Sequence, residues 1–73
     1  MPETSVLIGE IPRSETEKIL IQVREYKERK YIDCRIHFEN DKQEWIPTKK
    51  GITLNHDAAQ NMIVLLQKAL TQL

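Results

Sequence analysis

The chain has 73 residues, 40% hydrophobic, with 11 Lys/Arg against 11 Asp/Glu and no net charge. So short a chain is one domain, 1–73, at most, and buries only about 60% of its unfolded surface. One cysteine, Cys34, excludes an intrachain disulfide, and with His37 and His56 it matches no zinc spacing, so a partner subunit is the expected support.

In chain order, "TSVLIGEIP" reads as a short strand ended by Pro12, and Gly9 inside it signals a bulge or a close backbone approach. "PRSETE" is a polar loop. "KILIQVREY" and "KYIDCRIHF" read as the second and third strands, from their β-branched content and their alternation. "ENDK" is turn chemistry, and "QEWIPT" is a short fourth strand, placed at an edge or ended by Pro47. From Asn55, an N-cap with Asp57 in the first turn, the pattern is helical. Ala59, Met62, Ile63, Leu66, Leu70 and Leu73 follow the 3.6 period; Ala58, Leu65 and Ala69 widen the stripe, and Val64 lies across from it. Either the terminal helix is simply apolar, or part of this broad arc meets a second subunit. The fold class is α+β, β-β-β-β-α.

Charge is unevenly spread. Residues 1–17 carry Arg13 against Glu3, Glu10, Glu15 and Glu17, a balance of −3; residues 18–50 carry nine Lys/Arg and six Asp/Glu, a balance of +3. The faces of the middle hairpin therefore matter. Pairing Tyr26 with Tyr31 around the four-residue loop "KERK" puts Ile19, Ile21 and Val23 on a core face with Ile32, Cys34, Ile36 and Phe38. The other face then carries Leu20, Gln22, Arg24, Tyr26, Tyr31, Asp33, Arg35 and His37, a division that any even loop keeps. Glu28-Arg29 is a poor type I′ pair, which favours the four-residue loop over a two-residue one. Across "ENDK", pairing Phe38 with Gln43 puts Trp45 on the core face and Ile46 beside Arg35. Arg24, Tyr26, Arg35 and His37, with Lys27, Arg29 and Lys30 at the hairpin tip, supply the rings and cations that single-stranded nucleic acid requires. An ordinary solvated sheet face carries a similar mixture, with Arg24 and Asp33 as a cross-strand pair.

"VREYKERKYIDCRIHF" and "WIPTKKGITLN" resemble the positive cofactor four family of transcriptional coactivators and its bacterial relatives. The similarity spans residues 18–70; its most specific parts are "KKGITLN" and "YIDCR". It implies a curved four-stranded antiparallel sheet followed by one C-terminal helix, assembled as a homodimer through those helices, with basic channels that bind single-stranded DNA without sequence preference. RNA is left open. Carried over residue by residue, it implies phosphate roles for Arg24, Lys27, Arg29, Arg35, Lys49 and Lys50, and base stacking by Tyr26 and by Phe38, where the family has Trp. Phe38 conflicts with the alternation, which puts it on the core face unless a twist or bulge turns it outward. Glu10 and Ile46 stand where the family has basic residues, so binding weaker and less salt-sensitive than in the best-known members is expected. In the turn from strand to helix, Gly51 is expected to supply a backbone conformation that other residues resist, with Ile52 and Leu54 anchoring the turn.

The leading expectation is a non-enzymatic, cofactor-free single-strand-binding accessory factor of transcription, replication or repair. The alternative is a protein-interaction module that docks a polymerase or other partner, with nucleic-acid binding incidental. No run approaches the ~20 apolar residues of a membrane span. "MPETSVLIGEIP" lacks the basic and long apolar segments of a signal peptide. The expected location is the cytoplasm, at the nucleoid in a bacterium or in the nucleus in a eukaryote, with Cys34 reduced.

Overall fold

The computed structural model describes residues 4–73; the first three residues of the expected 1–73 domain lie outside the described residues. Four strands, β1 (Thr4–Pro12), β2 (Glu17–Tyr26), β3 (Arg29–Glu39) and β4 (Trp45–Leu54), precede one helix, α1 (His56–Leu70). The strands form one antiparallel sheet in the order β1-β2-β3-β4. Among the described residues no helix is long and apolar enough to cross a membrane.

β1 pairs with β2 through a register shift between Leu7 and Gly9. Gly9 therefore marks a bulge; a Cβ there would meet nothing within 4 Å, so close approach is not its reason. β2 and β3 are joined by a two-residue turn, with Tyr26 opposite Arg29. The expected four-residue loop is thus corrected. Lys27 and Glu28 adopt positive φ values of 52° and 64°, which a type I′ hairpin demands of both central residues. The turn sits one residue earlier than the Glu28-Arg29 pair, which moves the pairing of Tyr26 by two residues, from Tyr31 to Arg29, and because both loop lengths are even the division of faces survives.

The next turn overturns a face assignment. Asn40 Oδ1 accepts from the backbone N–H groups of Lys42 and Glu44, each at 2.9 Å, and Gln43 takes φ 63°. These contacts close a loop of odd length, so Trp45 stands opposite Glu39 and Ile46 opposite Phe38. Trp45 lies on the face of Arg35 and His37 rather than in a core, and Ile46 lies on the other face. "KKGITL" is not a turn either, because β4 runs on to Leu54. Its register shifts between Arg35, opposite Gly51, and His37, opposite Pro47, so Thr48, Lys49 and Lys50 face the single residue Ile36. Pro47 is tolerated within β4 because that strand is an edge.

Asn55 caps α1, accepting from the Ala58 N–H at 2.8 Å. The helix lies against the isoleucine face. Ala59, Met62, Ile63 and Leu66 oppose Ile19, Ile21, Ile32, Cys34 and Leu54 across an open apolar groove of about 440 Å³. No helix residue is buried, and Ile52 remains 47% exposed. Among the described residues the one buried hydrophobic side chain, Leu20, belongs to the opposite face, so the expected core face is unclosed within a single chain.

Candidate nucleic-acid interface

The two-residue turn keeps Lys18, Leu20, Arg24 and Tyr26 of β2 on one face with Arg29, Asp33, Arg35 and His37 of β3. This ledge is turned away from α1, which packs on the other face. At its centre Asp33 is 2% exposed. Arg35 clasps it, donating from Nη2 to Oδ1 at 3.1 Å and from Nε to Oδ2 at 3.4 Å. Arg35 Nη1 also donates to the Thr48 carbonyl at 2.8 Å, and Arg24 Nη1 lies 3.9 Å from Asp33 Oδ2. One buried carboxylate thus holds two guanidinium groups in fixed positions and offsets part of their charge. About a quarter of the Arg35 side chain and a third of the Arg24 side chain still reach solvent, so both retain an outward-facing cationic edge.

The rim is more open. Tyr26 is 49% exposed at the hairpin tip, with Lys27 Nζ 5.3 Å from its ring centroid. Lys27 and Arg29 are exposed, as are Lys49 and Lys50 on the shifted stretch of β4. That stretch is pinned by Thr48, whose hydroxyl donates to the Ile36 carbonyl at 2.7 Å and accepts from the Lys50 N–H at 3.1 Å. From Arg29 to Arg35, beside the lysine pair, the ledge runs roughly 20 Å. Arg24, Tyr26, Arg29 and Arg35 therefore share one face, with Lys27 at its tip and Lys49 and Lys50 exposed on the edge strand beside it.

Two expected stacking residues do not join them. His37 is buried, at 8% exposure, with Nδ1 3.2 Å from the Arg35 carbonyl, and it presents no open ring face. Phe38 is 39% exposed but stands opposite Ile46 on the far side of the sheet; the β2–β3 register is regular there, with no bulge to turn it outward. Trp45 is the ledge residue that alternation missed. Lys18 Nζ sits 4.1 Å from its ring centroid and 2.8 Å from Glu10 Oε1. The signal was the five-residue spacing from Asn40 to Glu44, whose odd length flips the faces. Glu10, which the resemblance flagged, thus neutralises a ledge lysine, whereas Ile46 lies off the ledge. Cys34, on the groove side, has its thiol pKa raised, first by burial and then by the Asp33 carboxylate. No group of three or more His, Cys, Asp or Glu among the described residues is arranged to hold a metal ion.

An open antiparallel sheet with one helix behind it and a cationic, aromatic face in front is the architecture of PC4-type coactivators. The family model described as transcriptional coactivator p15 (PC4) matches residues 14–64, and the chain belongs to that family of DNA-binding factors. A PC4 homologue of Burkholderia pseudomallei, solved in orthorhombic form, is similar at TM-score 0.84 and 27% identity over 90% of this chain and 89% of that one. Its tetragonal form gives TM-score 0.83 at 27% identity, over 90% and 97% of the two chains. A bacteriophage T5 homologue of the eukaryotic coactivator PC4 shares the fold, at TM-score 0.68 and 19% identity over 99% of this chain and 81% of that one. No curated protein matches the sequence.

Proposed function

We propose that the protein is a sequence-nonspecific single-stranded-DNA-binding factor, dimeric through α1, that serves transcription, replication or repair where the DNA is held: the cytoplasm of a bacterium or the nucleus of a eukaryote. The observation that carries this reading is the uncovered ledge, where an exposed ring and fixed guanidinium groups share one stiff sheet face. Such a face suits an unpaired strand, because stacking accepts any base and cations follow the backbone. Tyr26 stacks on a base; Arg24, Lys27, Arg29, Arg35, Lys49 and Lys50 neutralise phosphates. No catalytic step is involved. Because Asp33 and Glu10 offset neighbouring cations, the affinity is modest and its salt dependence shallow.

Fluorescence anisotropy with a labelled, unstructured oligonucleotide tests this reading. Tighter binding than to matched duplex is expected. Replacing Lys49 and Lys50 together by Glu weakens binding and lowers the salt slope by at least about 1.4, the contribution of two phosphates on a single strand. Equal affinity for duplex and single strand counts against the reading. A ledge whose cations are partly offset by Asp33 and Glu10 also suits a polymerase or other protein partner, with nucleic acid incidental; a pulldown that keeps its protein partner after nuclease treatment favours that second reading.

A further inference from the structure

We infer that Trp45 is a second base-stacking platform on the ledge, covered in the free protein by Lys18 and opened when a nucleic-acid phosphate draws that lysine from Glu10. This rests on the single-strand-binding reading and adds a site to it. Three strands build the cluster. Lys18 on β2 stands opposite His37; Trp45 on β4 stands opposite Glu39, two residues further along the same face of β3; Glu10 on β1 stands opposite Leu20. The Lys18 ammonium lies 2.8 Å from Glu10 Oε1 and 4.1 Å from the Trp45 ring centroid, so one cation serves a carboxylate and a ring face together.

Neither hold is strong. The Glu10 side chain is 44% exposed, so water competes for its carboxylate, although the Lys18 side chain beside it is only 17% exposed. A cation over a ring at the surface is held weakly as well. A nucleotide offers a replacement for each contact: its phosphate takes the ammonium, and its base takes the ring face that Lys18 leaves. Glu10 then acts as the latch, holding the lysine down and repelling phosphate until the exchange occurs. Trp45 lies at the opposite end of the ledge from Tyr26. Tyr26 and Lys18 are eight residues apart on β2, about 27 Å along the strand. A single strand laid along the ledge therefore meets an aromatic ring at each end, with the two guanidinium groups between them.

The chain has one Trp, so its emission reports on this site alone. The whole protein is titrated with a roughly 12-nucleotide oligothymidine, within the site sizes usual for such proteins. Trp45 emission is followed beside the anisotropy of the same oligomer carrying a label. Quenching that saturates together with anisotropy is expected. Glu10→Gln should bind several-fold tighter at low salt, with a salt slope steeper by about 0.7, because no freed carboxylate takes up a cation when Lys18 moves to the phosphate. Trp45→Phe should keep most of the affinity, while Trp45→Leu loses roughly tenfold, the usual worth of one stacked base. Glu10 is exposed, so its variant remains informative even where a Trp45 variant fails to fold. Saturating anisotropy with unchanged emission, or Glu10→Gln binding no tighter than the parent, overturns the inference and leaves single-strand binding standing. No anisotropy change at all removes both.

Discussion

Gly51 shows how one position can be legible in sequence for the wrong reason. It stands out as the glycine of "KKGITLN", and a special backbone angle is the obvious explanation. Its φ is not positive; the constraint is space. A Cβ built there would lie 2.7 Å from the Cys34 carbonyl oxygen and 2.9 Å from the Arg35 Cα, both backbone atoms that cannot swing aside. The shifted register of β4 brings its chain this close to β3, and the register is set by pairing that a linear reading does not contain. Gly51→Ala should therefore destabilise the protein by about 1–3 kcal/mol, as overpacking does. A fall in the urea midpoint at unchanged slope would report it, whereas an unchanged midpoint would place the backbone farther away. Because Arg35 is anchored by Asp33 and by the Thr48 carbonyl across the same stretch, the substitution should also weaken oligonucleotide binding.

At the scale of elements, strands and helix were readable because their patterns are local. Asn55 and the 3.6-residue stripe define α1, and alternation defines β2 and β3. Loop parity was harder, and it decides which side chains share a face. The β2–β3 pairing was misjudged by two residues, an error that parity forgives; the β3–β4 loop was misjudged by an odd number, which sent Trp45 to the wrong side. Neither turn carries the glycine that its backbone favours. Lys27 and Glu28 hold left-handed angles that cost a non-glycine residue about 1 kcal/mol each. Glu28→Gly should consequently raise stability by roughly 0.5–1 kcal/mol, after allowance for the more flexible unfolded chain. Thermal unfolding of the variant checks this, and a lower midpoint would mean that the Glu28 side chain has a role beyond the turn.

The whole molecule is a slab of 39 × 37 × 18 Å, in which a single helix lies on a four-stranded sheet and leaves its apolar face partly uncovered. Ile63, Leu65, Leu66 and Leu70 are each more than half exposed on α1, and the groove beneath stays open. The breadth of the apolar stripe was visible in the sequence; that one chain leaves it uncovered was not, because burial depends on what the sheet can reach. A second copy laid over the groove is the proposed cover. Sedimentation equilibrium should then give twice 8.6 kDa, and Leu66→Glu should lower the association and make unfolding begin at milder denaturant. A stable parent of single-chain mass would contradict that assembly. The central claim, that the open face of the hairpin receives an unpaired strand, is tested most directly by an amide-shift titration with short oligothymidine. The account predicts shifts at Arg24, Tyr26, Lys27, Arg29, Lys49 and Lys50, with the groove side of α1 at Ile63 and Leu66 unmoved. Shifts concentrated along α1 and the groove, with the ledge silent, would contradict it.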